Sequence, residues 1–249
     1  MNYRTPLALG ALLALVMTTA AGSALAQDLI LNGTTTTLGG TVTYDSVQLL
    51  NGARINVATY DPANPSTTGI LHIIADSILV DGTSQINGVA DGYRSTDGIG
   101  QGPGGGEGGP YSIDGGGGGA YGGHGGNGIR DWWQVQGCGT PWPDGARGIA
   151  YGTNNGLSIE MGSAGGAGGS GDGDTGLGGG DGGAAVWLDA PSITVAGIIN
   201  MNGGNGFNHQ NDSGGGGAGG GILIQGLSVS VTGSLWVKGG NGAAYDDGG

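Results

Sequence analysis

The chain has 249 residues, 65 of them glycine, and its 19 acidic and 6 basic side chains give a formal charge of −13 with only 10% charged residues. That balance excludes nucleic acid as a partner, because a phosphate backbone is bound by clustered Lys and Arg, whereas Arg54, Arg94, Arg130, Arg147 and Lys238 stand singly. A lone cysteine, Cys138, excludes an intramolecular disulfide, so a core or a lattice of backbone hydrogen bonds has to hold the fold.

Residues 1–26 read as a secretory signal peptide: Arg4 is followed by an apolar run from Leu7 to Ala21, then by Ala24-Leu25-Ala26 before the cut. The run is about fifteen residues, short of the roughly 20 a spanning helix needs. Nothing downstream is long and apolar enough to cross a bilayer. The expectation is a protein secreted or held at the cell surface, reached via the periplasm, with no transmembrane segment in the mature chain.

Past the cut, one pattern recurs. It begins loosely around Ser46, with Val42, Val47, Leu49 and Ile55, and is clearer around Ser77, where Leu71 and Ile73 precede and Ile78, Val80 and Ile86 follow. It returns at Ser192, with Val186, Leu188, Ile193, Val195 and Ile199, and at Ser228, with Ile222, Ile224, Val229, Val231 and Leu235. Each unit of about 20 residues holds three pairs of apolar side chains two apart, which is the strand period, separated by glycine or polar positions where the chain turns. The fold expected is all-β: a parallel β-solenoid, or β-helix, of three-strand coils that stack Ile222 on Val186 on Leu71, since one coil cannot bury its own apolar face. An antiparallel sandwich of short strands is the competing architecture.

Glycine-rich inserts interrupt the repeat. In residues 98–183 more than two positions in five are glycine, and a shorter run spans 213–221. Such segments have two fates, a flexible excursion or close-packed extended strands of polyglycine-II type. Trp132, Trp133, Val135, Trp142, Ile149, Tyr151 and Met161 load the long insert with apolar surface and favour a partly ordered lobe. The organisation expected is therefore a signal peptide (1–26), N-terminal coils (27–97), a glycine-rich lobe (98–183) and C-terminal coils (184–249). No capping coil precedes Gly249, so the sequence reads either as a truncated array or as one whose end pairs with another copy.

Catalytic constellations are thin. Asp45, Asp76 and Asp189 fall in a turn column, where aspartate caps backbone amides. His72, His124 and His209 lack metal-ligand spacing, and Cys138 has no histidine near it in sequence. No metal or other cofactor is expected, except that Asp172, Asp174 and Asp181 are the acids a weak calcium site would use. Aromatic faces among small polar groups suit sugar rings, which makes Trp132, Trp133, Trp142 and Tyr151 the candidate ligand-binding residues; packing the lobe's own core is their other use.

Around Gly214-Gly215-Gly216-Gly217-Ala218-Gly219-Gly220-Gly221-Ile222-Leu223-Ile224 and the following Ser228-Val229-Ser230-Val231, the chain resembles the glycine-rich β-helical repeats of large exported bacterial surface proteins, both adhesin-like and autotransporter-passenger-like. The glycine runs also resemble the polyglycine-rich tips of phage tail-fibre adhesins. The resemblance implies a structural or adhesive role outside the cell, with surface glycans or other copies of the chain as partners, and no catalytic residues. A polysaccharide lyase or hydrolase built on a β-helix is the alternative.

Overall fold

The computed structural model describes residues 27–109, 115–128, 145–153, 158–169, 178–209 and 212–243. These residues form an all-β fold with no helix. First come β1 (Leu29–Asn32), β2 (Thr35–Leu38) and β3 (Gly40–Thr43), then β4 (Ser46–Leu50), β5 (Arg54–Val57) and β6 (Ile70–Ile74). Next are β7 (Ser77–Val80) and β8 (Gln85–Asn87), followed by a short antiparallel pair, β9 (Ser95–Thr96) and β10 (Ile99–Gly100). Beyond the long glycine-rich stretch lie β11 (Ala185–Asp189), β12 (Ser192–Val195) and β13 (Ile198–Asn200). A second small pair, β14 (Asn208–His209) and β15 (Asp212–Ser213), precedes β16 (Gly221–Gln225), β17 (Ser228–Val231) and β18 (Ser234–Trp236).

The long-range pairing is parallel throughout and produces three sheets, ordered β1-β4-β7-β12-β17, β2-β5-β8-β13-β18 and β3-β6-β11-β16. The chain visits them in fixed rotation, first, second, third, first again. Register follows the apolar columns. Val47, Ile78, Ile193 and Val229 lie side by side in the first sheet, Ile55, Ile86, Ile199 and Leu235 in the second, and Leu71, Val186 and Ile222 in the third. Because side chains alternate across a strand, each column faces one way, and these face a shared core of Val47, Leu49, Ile55, Leu71, Ile73, Ile86, Leu188, Ile193 and Ile199. Ser46, Ser77, Ser192 and Ser228 form the column at the start of the first sheet's strands.

One turn between the first and second sheets shows how successive rounds are locked. Asn51 adopts φ 55° and Gly52 φ 80°, left-handed values that favour Asn and Gly. Their amides donate to Asp81 Oδ2 at 2.6 Å and Thr83 Oγ1 at 2.8 Å in the next round, and the Ala53 amide donates to the buried Ser84 Oγ at 3.1 Å. Ser84, which breaks its apolar column, is thereby satisfied. The Asp81 carboxyl is held well below the usual range by hydrogen bonds from Ser84, Asn51 and Thr83.

Two features lie outside the sequence reading. Strands β1 and β2 precede the first recognised unit, which opens with Val42 in β3, and Thr35–Leu38 sits at the edge of the second sheet. The other is where the chain departs: between β5 and β6, β8 and β11, β13 and β16, it always leaves the second sheet and rejoins at the third. Every insert springs from the same corner.

Candidate functional site

At that corner the glycine-rich segments build a lattice of their own. In segment 161–169 the amides of Gly162 and Gly165 donate to Gly183 and Gly180, those of Ser163 and Gly166 to Ala120 and Gly117, and those of Ala164 and Ala167 to Gln101 and Gly98. Three consecutive amides thus serve three different neighbours, and every third amide serves the same one. This is the signature of extended strands with three residues per turn and no internal hydrogen bonds, the polyglycine-II arrangement. Segment 213–220 follows the rule: Gly214, Gly217 and Gly220 donate to Phe207, Gly204 and Met201, while Gly215 and Ala218 donate to Gly166 and Ser163.

Glycine is required here by closeness of approach. A Cβ on Gly166 would fall against the carbonyl of Glu107, and one on Gly215 against that of Gly117, both rigid backbone. With no side chain in the way, the strands approach closely enough to bond directly, and segments 161–169 and 214–220 are buried.

The lattice has two ends. At one, segments 178–184 and 213–220 run into β11 and β16, and β13 runs out into segment 201–206. Residues at the other end are tied side by side: Gly109 to Ala167, Gly116 to Ser213, Gly128 to Gly145, Gly214 to Phe207 and Ala243 to Gly214. These pairs mark the end of the lattice remote from the sheets.

Trp132, Trp133 and Trp142 lie outside the described residues, as do Cys138, Asp172 and Asp174. Tyr151 is described. Its hydroxyl donates to the Met161 carbonyl and accepts from Ser163 Oγ at 3.0 Å, and its ring packs on Tyr121 at 5.1 Å. Burial holds that hydroxyl well above the ordinary tyrosine range, so it stays a donor. Tyr151 is thus tied into the lobe, with its ring bordering an open groove of about 570 Å³ beside Tyr121, Gly152 and Thr153.

The acids act as anchors. Asp181 Oδ1 accepts from the Ser95 amide at 2.7 Å, and its other oxygen lies 3.9 Å from Arg94. Nearby, burial pushes the Asp91 carboxyl up, offset by a 2.6 Å hydrogen bond from Thr59 and reinforced by the Asp181 charge. Among the described residues, no three His, Cys, Asp or Glu side chains gather to hold a metal ion.

One cluster escaped the sequence reading. On the outer face of the third sheet His72 and Trp187 are register partners, stacked at 4.1 Å and 11°, with Asp189 at 4.0 Å from His72 Nε2 and Gln225 accepting from Trp187 Nε1 at 3.1 Å. Alternation alone turns His72 outward; the parallel register is what brings Trp187 beside it. No protein-family model matches the chain, and neither does any curated protein or solved structure.

Proposed function

We propose that the chain is an exported, cell-surface scaffold with an adhesive role: a parallel β-solenoid of about 20-residue coils whose glycine-rich lobe presents connecting loops to surface glycans. The observation that carries this reading is the three-residue hydrogen-bond period across segments 106–109, 115–120, 161–169, 178–184 and 213–220. It makes these segments a hydrogen-bonded bundle rather than a tether, and rigid elements hold binding loops better than flexible ones. The fixed rotation among three parallel sheets supports the solenoid. Trp132, Trp133 and Trp142 fall in sequence between Gly128 and Gly145, which are hydrogen-bonded to each other at the remote end of the bundle, the end where a scaffold would display a ligand-binding surface. Tyr151 serves this site by packing the bundle that supports it.

The test is incubation of the protein with a panel of neutral and acidic polysaccharides, reading both retention and product. Retention without turnover is expected, with at least about a tenfold loss of affinity when Trp132, Trp133 and Trp142 are replaced by Ala. New reducing ends or unsaturated products would overturn the scaffold reading in favour of a polysaccharide lyase or hydrolase.

A further inference from the structure

The second sheet turns one column of side chains inward and another outward. Ile55, Ile86 and Ile199 are fully buried, and the residues that alternate with them, Asn56, Asn87 and Asn200, are half-buried on the outer face. Register sets the three asparagines side by side, with Thr37 before them and Trp236 after. Arg54 and Gln85 are neighbours in the adjoining outward column. β5, β8 and β13 each have a strand on either side, so this face belongs to the middle of the stack and owes nothing to its ends.

Elsewhere in the coils polar side chains hold successive rounds together. Asn51 bonds to Asn32, Asp81 and Thr83 accept from the Asn51 and Gly52 amides, and Asn202 and Asn205 accept from the Lys238 and Asn241 amides. The outer face of the second sheet is different. The carboxamides of Asn56, Gln85 and Asn87 have no hydrogen bond among the described residues, and Asn200 uses only its Oδ1, which accepts from the Asn202 amide at 3.2 Å. Arg54 has no ion pair among the described residues, its Nε has no partner, and Asp91 feels its charge only from a distance. None of the five strands carries a carboxylate.

Each carboxamide offers both donors and an acceptor. Three identical ones, one strand separation of about 4.8 Å apart, form a line that a ligand can follow only if it repeats at a similar interval. An extended peptide rises about 3.3 Å per residue and falls out of step. An extended chain of β-linked pyranoses presents about one ring per interval, with hydroxyls that donate and accept as the carboxamides do. Charge narrows the class: a chain of formal charge −13 repels a polyanion, and one guanidinium is no cluster to offset that, whereas its N–H groups serve neutral hydroxyls as well.

We propose that the outer face of the second sheet binds a neutral, linear polysaccharide lying across the strands, with Asn56, Asn87 and Asn200 bonding successive sugars and Arg54 and Gln85 bonding them from the side. The proposal rests on the stacked-coil reading above and takes a glycan as ligand, but on a surface separate from the tryptophans of the lobe.

The test is a titration of the full chain, followed by nuclear magnetic resonance, with disaccharides and hexasaccharides of β-1,4-linked glucose, mannose or xylose. One hexasaccharide at least should shift the side-chain amide signals of Asn56, Asn87 and Asn200 and bind at least about tenfold more tightly than its disaccharide. The double variant Asn56→Ala, Asn87→Ala should weaken that binding at least about tenfold and keep the thermal midpoint, since neither carboxamide is bonded within the fold. Replacing Trp132, Trp133 and Trp142 by Ala should leave the asparagine shifts in place. Absence of those shifts with every hexasaccharide, equal affinity for the two lengths, or unchanged affinity in the double variant would overturn the proposal. Tighter binding of an oligogalacturonate would overturn it too. Shifts confined to the lobe would sink this site and leave the lobe's own reading standing; shifts at the asparagines that survive loss of the tryptophans would support this site whatever the lobe binds.

Discussion

His72 stacks on Trp187 while burial pulls its pKa below 6.5, an effect that the Asp189 carboxylate opposes. A base whose pKa is lowered in the folded state favours folding in its neutral form. Its contribution is therefore present above pH 6.5 and is lost as the pH falls through and below that value. The variant His72→Phe keeps an aromatic ring against Trp187 without a titrating group. Acidifying from about pH 7.5 to about pH 5.5 should lower the thermal midpoint of the unaltered protein by more than that of His72→Phe, a comparison in which the carboxylates common to both cancel. Equal slopes would show that His72 protonates freely.

Within the glycine lattice the unit that matters is the strand and its spacing. Gly166 sits where a Cβ would meet the Glu107 backbone, whereas at Gly126 a Cβ meets nothing within 4 Å. Both lie in glycine-rich runs, so sequence treats them alike. Gly166→Ala should destabilise the protein by about 1–3 kcal/mol, as overpacking against rigid neighbours does, while Gly126→Ala should stay within about 0.5 kcal/mol. Denaturant midpoints of the two variants decide it. The strands of the three sheets were the more legible elements: Ser77, Ser192 and Ser228, which head matching stretches of sequence, are neighbours in space, with Leu71 beside Val186 beside Ile222. Strands β1 and β2 were not read as part of the repeat, because Thr36 stands where later rounds have Ile55 and Ile86, and β3 was read through Val42 alone, since Gly40 stands where the next round has Leu71.

Over the whole molecule the two lattices are unequal in what they bury. The sheets enclose a continuous core of Leu, Ile and Val, whereas the buried apolar side chains of the glycine bundle are mainly alanines, Ala120, Ala164, Ala167 and Ala218, with Met161. Polar backbone pairing gives only about 0.5–1.5 kcal/mol per hydrogen bond, and glycine loses the most conformational freedom on ordering. The bundle therefore depends on being held at the corner by β11, β13 and β16. Leu188→Ala, deep in the core, should cost about 2–5 kcal/mol and lower hydrogen-exchange protection at Gly165 and Gly180 together with that of β11. If the glycine amides kept full protection, the bundle would be a separately stable unit.

By itself the sequence determined that the chain is built of short strands with apolar pairs two apart, that those pairs recur in columns, and that glycine segments interrupt them. Alternation is a local property, written in which residues are apolar, so it survives without knowledge of the fold. Tertiary structure alone decided which glycine strand bonds to which, that all inserts share one corner, and that Tyr151 is tied into the lobe by Met161 and Ser163. The physical reason is that glycine carries no side chain to mark a partner: its pairing is chosen by backbone amides and carbonyls that every residue has, and only proximity in space tells them apart.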